Sequence, residues 1–207
     1  MAQVRLSYIG QLTQLRNSKA VQIRPVAPRD AEAVQAFVRG LSISSRYFRF
    51  MMGISQLSDD MLARFTNPRA GREGVLVAWA AEPSIDSTLI GMAQYVADET
   101  GGSCDFAVVV SDPWQRQGLG RRLVSDLIRI AAQDRITCMH ADVLADNYAM
   151  RGLAEKLGCE LHVNPQLPFL LRLSRPLVAP APEYFDALGS GVVAERQPLS
   201  PHEFHRA

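Results

Sequence analysis

The chain has 207 residues, 47% of them hydrophobic, and a formal charge of +1. That balance suits one globular domain with a buried core and excludes both a highly charged disordered chain and a surface dominated by positive charge. No apolar run reaches the roughly eighteen residues of a membrane span, and "MAQVRLSYIGQLTQLRNSKA" lacks the order of a signal peptide, so a cytoplasmic address without a membrane partner is expected.

After a basic, polar lead over residues 1–19, "AVQIRP" reads as a first strand and "PRDAEAVQAFVRGL" as a helix with Ala33, Phe37 and Leu41 stacked at intervals of four. "SSRYFRFMM" and "SDDMLARF" read as short helices, the second capped by Ser58. The period then changes to that of strands in "GVLVAWAAE", "TLIGMAQYVAD" and "CDFAVVV", the last bounded by "GG" and "DP". "GLGRRLVSDLIRIAAQ" is amphipathic, with Leu119, Leu123, Leu127 and Ile130 along one side and Arg122, Asp126, Arg129 and Gln133 along the other.

A strand, "TCMHADVL", follows, then a helix opening at "DNYAMRGLAEKLG" and stopped by Gly158, then strands around "CELHV" and "FLLRL". Alternation of strand and helix over residues 104–161 requires parallel pairing there, whereas the earlier strands, joined by short loops, pair antiparallel. The fold class is therefore α/β, a mixed, mostly antiparallel sheet with helices on both faces. Domain boundaries follow at residues 20–175, with 176–207, which hold five of the twelve prolines, as an extended arm or tail. Such an arm could cross to a second copy of the chain or close over its own groove, so a homo-oligomer stays open.

Cys104, Cys138 and Cys159 are widely spaced with no C-x-x-C pair, which suits buried reduced thiols. His140, His162, His202 and His205 show no metal-ligand spacing, and a net charge of +1 argues against nucleic acid as the partner of "SRYFRF". That segment reads as a substrate-side helix or as plain packing.

The stretch "VVVSDPWQRQGLGRRL" carries the chemistry. It is a strand-to-helix corner where glycines at 118 and 120 let a ligand approach bare main chain, and where Arg116, Arg121 and Arg122 add charge to the exposed amides of a helix N-terminus. A pyrophosphate is the natural guest. No G-x-x-x-x-G-K-[ST] string occurs, and Leu123 stands where a dinucleotide fingerprint needs its third glycine.

The order of strand, Q-x-x-G-x-G in "QRQGLG", and amphipathic helix resembles the acyl-CoA-binding signature of the GCN5-related N-acetyltransferase (GNAT) superfamily. "IRPVAPRDAEAVQAFVRGLSISSRYFRFM" and "DFAVVVSDPWQRQGLGRRL" are similar to the acetyltransferase domain of bacterial protein lysine acetyltransferases. This resemblance implies a central parallel strand pair splayed around the cofactor, with acetyl-CoA as co-substrate. It implies main-chain contacts from Val108, Val109 and Val110 to the pantetheine arm and a pyrophosphate cradle from the amides of Gln115, Arg116, Gln117, Gly118, Leu119, Gly120 and Arg121. Asn147 stands where the family contacts the cofactor between the splayed strands, or is an ordinary residue of a helix start. An oxyanion donor is implied among the backbone N–H groups of Val109 and Val110.

Acetylation of an amine needs a proton acceptor, because a free lysine is protonated at neutral pH. Asp105 heads an apolar strand, where partial desolvation would favour a base acting directly or through water, and it replaces the glutamate of the related protein acetyltransferases. A solvated carboxylate at a strand end is the other reading. The family's thiolate-protonating tyrosine is replaced by Ala154, so leaving-group protonation falls to water or to the substrate amine. The expected activity is transfer of an acetyl group to a primary amine, such as a protein lysine. A small-molecule amine acetyltransferase and a non-catalytic acyl-CoA sensor are the alternatives.

Overall fold

The computed structural model of the chain describes residues 12–15, 19–81, 88–163 and 165–177. Among them, one eight-stranded sheet comprises β1 (Leu12–Gln14), β2 (Ala20–Pro25), β3 (Glu73–Ala80), β4 (Leu89–Ala97), β5 (Ser103–Val110), β6 (Cys138–Leu144), β7 (Glu160–Val163) and β8 (Leu170–Pro176), in the order β1-β2-β3-β4-β5-β6-β8-β7. Every neighbouring pair is antiparallel except β5 with β6. The mixed sheet expected from the sequence is the sheet observed.

Side chains alternate across a strand, so the sheet builds two cores. Cys104, Phe106 and Val110 of β5 join a cluster with Leu119, Leu123 and Leu127 of α4 (Leu119–Gln133) and Ala154 of α5 (Tyr148–Lys156). Val109 points the other way, into a cluster with Val34, Phe37 and Val38 of α1 (Ala31–Gly40) and Phe65 of α3 (Asp59–Thr66). Phe50 of α2 (Ile43–Phe50) packs against that second cluster. No described helix is long and apolar enough to cross a membrane.

The structure changes several sequence-based expectations. β1 lies inside the polar lead, three residues being too few to show a period. Parallel pairing is confined to Ser103–Asp105 against Cys138–His140, and β7 pairs with β8, which stands between it and β6. Asp126 is 6% exposed rather than solvated, because Arg122 Nε (2.7 Å) and Arg129 Nη1 (3.1 Å) both close over its carboxylate. Cys104 is buried, but Cys138 and Cys159 are only half-buried. Strand β8 and the buried Leu177 carry the fold past Arg175, and the rest of the proposed arm lies outside the described residues.

The entry to α1 is fixed by an ion pair. Asp30 is 4% exposed and receives Arg24 Nη1 and Nη2 at 2.7 Å each, together with the amide of Ala27 at 2.8 Å. The Arg24 hydrogen bonds hold its carboxyl below the usual carboxylate range, against the opposing effect of burial. A depressed folded-state value means that this stabilisation is full above the unfolded carboxyl value and fades as pH falls through the folded one. Asp30→Asn is expected to lower the unfolding free energy by about 2–3 kcal/mol at neutral pH, with the difference from wild type shrinking in acid. Urea titrations at stepped pH measure both effects.

Candidate functional site

The three parallel rungs between β5 and β6 end at Asp105 and His140, and beyond them the strands part. Register decides which backbone groups face the resulting gap. In an antiparallel ladder, hydrogen-bonded pairs alternate with non-bonded ones. The amide of Ser111 donates to Ile90 O at 2.9 Å and that of Asp98 to Ser103 O at 2.9 Å, so the odd-numbered residues of β5 bond to β4. Val109 is therefore committed to Met92, whereas Val108 and Val110 turn their main-chain groups away from β4, toward the gap. This corrects the expectation that Val109 offers a free amide; Val110 is the donor that register leaves available.

The corner after β5 is a short 3-10 turn, Asp112–Trp114, followed by left-handed backbone at Arg116 (φ 60°) and at Gly118 (φ 94°). Gly118 is the N-cap of α4, and no side chain caps the helix. The amides of Leu119, Gly120 and Arg121 thus point out of the first turn toward the gap's mouth. A Cβ on Gly120 would lie 3.6 Å from Leu153 and 3.8 Å from Val110, so the helix start sits close against α5 and the end of β5. The amide of Gln115 is spent on Asp112 O at 3.3 Å, which removes it from the expected cradle. Half-buried Trp114 packs against the main core with Lys19 Nζ 4.5 Å from its ring centroid.

The side chain of Gln115 has a different task. Its Nε2 donates to Val110 O (3.0 Å) and to Ser45 Oγ (3.1 Å), joining the end of β5 to α2. Asp112 completes the joint by accepting the amide of Ser42 (3.1 Å), Ser42 Oγ (2.7 Å) and Ser45 Oγ (2.8 Å). Burial pushes the Asp112 carboxyl up, but these hydrogen bonds outweigh it and hold the group below its usual range. Sequence reasoning missed this joint. Its signal was an acidic residue two positions after a strand and a serine-rich helix start, patterns that do not identify each other.

Asp105 sits on the last paired rung, at the vertex of the gap. It is 68% exposed, not desolvated, and its Oδ1 receives Arg172 Nη2 at 2.8 Å. Arg172 Nη1 reaches Asp142 at 3.0 Å, so one guanidinium from β8 bridges carboxylates on β5 and β6. The correction has a plain cause: Val96, opposite Asp105, is 40% exposed, and no described helix covers that end of the sheet face.

Asn147 caps α5 by accepting the amide of Met150 at 3.0 Å, which occupies its Oδ1. Arg151 is half-buried and donates to Ala145 O at 2.9 Å, not simply solvated. Ala154 is buried, and Tyr148 is 75% exposed. Burial pushes the Cys104 thiol up to about 12, which keeps this neighbour of Asp105 protonated.

A cavity of about 370 Å³ opens between α2 and the far end of β6, lined by Tyr47, Leu144, Ala145, Asp146 and Phe169. Around it the surface is apolar: Ile43 is 80% exposed, Tyr47 47%, Leu167 41% and Phe169 59%.

Asp112→Ala removes the carboxylate from the joint. It is expected to cost about 1 kcal/mol of stability and to increase hydrogen exchange at the first turn of α2, with the amides of β5 unaffected. Exchange measured by mass spectrometry on the folded variant tests this.

The sequence pattern of the acetyltransferase (GNAT) family matches residues 42–159. The acetyltransferase PA5475 of Pseudomonas aeruginosa is 31% identical over 144 residues, 70% of this chain and 77% of that protein. Among solved structures, the GNAT domain of S. lividans PAT superimposes with a TM-score of 0.74 at 23% identity, over 83% of this chain and 98% of that one. The Salmonella typhimurium protein yncA, solved with its cofactor acetyl-CoA, gives 0.62 at 21% identity over 78% and 96%. The open strand pair, its gap-facing amides and the uncapped start of α4 fit a peptide-like arm ending in a diphosphate. The chain belongs to the acetyltransferase (GNAT) family and uses acetyl-CoA as its acyl donor.

Proposed function

We propose that this protein acetylates the primary amine of a protein lysine by direct attack within a ternary complex. The observation that carries this reading is the exposed apolar rim around the Tyr47–Phe169 cavity, a surface suited to covering by a macromolecule rather than to enclosing a small amine. Two aromatic walls suit the methylenes of a lysine side chain, and the Asp146 carboxylate at the rim attracts its cationic end on the way in. The resemblance of "DFAVVVSDPWQRQGLGRRL" to bacterial protein lysine acetyltransferases supports the same reading.

Bound acetyl-CoA supplies a thioester carbonyl open to nucleophilic attack. Val108 and Val110 offer strand-like hydrogen bonding to its pantetheine arm, and the amides of Arg116, Gln117, Gly118, Leu119, Gly120 and Arg121 surround its diphosphate. Asn147, whose Oδ1 is engaged in capping, contributes its Nδ2 as the remaining donor to the cofactor. Val110 N–H serves as a preorganised donor to the carbonyl oxygen as charge develops there. Asp105 takes the proton of the incoming ammonium through a chain of water molecules, which its exposure admits and which the four strand residues between it and Val110 require. Arg172 keeps that carboxylate fixed at the vertex. With Ala154 buried and Tyr148 turned to solvent, water or the amine itself protonates the departing thiolate.

Two substitutions test the assignment. Gly118→Glu puts a side chain on left-handed backbone and a like charge at the diphosphate, and is expected to weaken acetyl-CoA binding at least about tenfold while far-UV circular dichroism is retained. Calorimetric affinity equal to wild type would remove the corner from the cofactor site. Asp105→Asn is expected to lower turnover on a lysine-bearing protein by about two to four decades with acetyl-CoA affinity kept. Undiminished thiol release in that variant would exclude Asp105 as the base.

A further inference from the structure

Helix α2 presents an arginine whose best hydrogen-bonding edge is unused. Arg49 is half-buried, with its guanidinium carbon 4.8 Å from the ring centroid of Phe50 and 5.5 Å from that of Phe65. Both rings pack on the core cluster that contains Val109 and Met92, beneath the gap-forming end of β5. Its Nε and Nη2 are shut off from solvent and have no hydrogen-bond partner. These two nitrogens share one edge of the guanidinium plane, the edge that meets a carboxylate through two parallel hydrogen bonds.

Neighbouring Arg46 differs, because its Nη1 closes the end of α1 by donating to Arg39 O at 3.1 Å and to Leu41 O. Arg49 has no such structural task. Burial draws its pKa down to about 10, which leaves it cationic at neutral pH. The two aromatic faces offset part of the cost of burying that charge, but they do not answer its N–H edge. A buried cation without a counter-ion is costly to keep unless a ligand supplies the anion.

Location indicates which ligand. Ser45, one turn earlier on the same face of α2, is bonded to Asp112 and Gln115 just past the open end of β5, so this helix face is tied to the strand end whose Val110 amide is free of β4. On the same sheet face, Gln94 of β4, opposite Ala107, also carries a buried Oε1 without a partner. The unanswered atoms of Arg49 and Gln94 thus lie on the α1–α3 side of the sheet, away from the uncapped start of α4 that receives the diphosphate.

We propose that the Nε–Nη2 edge of Arg49 binds a carboxylate carried by the acceptor, so that the enzyme selects amines with an acid group nearby. The inference rests on the amine-acetylating reading above and narrows it. In a protein acceptor the carboxylate belongs to an aspartate or glutamate beside the target lysine; in a small acceptor it belongs to the molecule itself.

Two matched pairs of acceptors test this: lysine peptides flanked by glutamate or by glutamine, and an ω-amino acid or its amide. The acid-bearing member of the pair that the enzyme uses is expected to show a kcat/KM about tenfold to a hundredfold higher, as for a charge-assisted hydrogen-bonded pair. Arg49→Met should collapse that ratio toward one, with Arg49→Lys keeping part of it. Should the methionine variant fail to fold, Arg49→Lys carries the comparison: a reduced ratio supports the clamp, and an unchanged one overturns it. Turnover of the peptides without discrimination overturns the clamp and leaves lysine acetylation standing. Discrimination in the small pair alone, with inert peptides, supports the clamp and overturns the lysine reading. A preference that survives in Arg49→Met overturns the clamp, and inertness of all four acceptors overturns both.

Discussion

Parallel pairing that stops after three rungs is the constraint on which the site depends. A sheet interior normally leaves no main-chain donor or acceptor unanswered, because water is absent there to take the partner's place. Here β5 is held along its full length by β4 and β6 by β8, so neither strand can swing over to close the gap. The backbone groups of Val108 and the amide of Val110 are left in register for a third, peptide-like participant, Val110 O being taken by Gln115 Nε2. In the proposed reading the pantetheine arm of acetyl-CoA takes that place, with its diphosphate at the helix start that follows the same strand.

The two faces of the sheet divide the labour. On one, α4 and α5 pack against the larger core and position the glycine corner. On the other, α1 to α3 cover the smaller core and leave the far end of the sheet exposed, where Asp105, Asp142 and Arg172 form a carboxylate–guanidinium–carboxylate bridge. Such an exposed bridge adds little to stability. Its effect is positional, since it draws three strands' side chains together at the point where β5 and β6 separate.

Much of this was legible in the sequence because it depends on local chemistry. Gly118 announces a left-handed turn, Ser58 caps α3 by accepting the amide of Met61, and Asn147 caps α5, all readable from residue type and short spacing. What depends on register or on distant partners was not legible. Val109 and Val110 are indistinguishable in the string, and only the pairing with β4 commits the amide of one and releases that of the other. Asp105 looked desolvated because its own strand is apolar, whereas its exposure is set by the uncovered sheet end and its partner comes from β8. Asp126 follows a solvent-facing period yet is buried by its own helix neighbours. The unused edge of Arg49 needs the positions of Phe50 and Phe65, which lie on two different helices.

Asp112 and Gln115 fasten the first turn of α2 to the segment that leads into the glycine corner. Moving either segment alone would break these bonds, which is the arrangement by which a guest that settles one would lower the entropy cost of settling the other. Thermodynamic reciprocity makes the gain identical in both directions. Two serines, an aspartate and a glutamine are in this way enough to let whichever substrate arrives first tighten the hold on the other by the same factor.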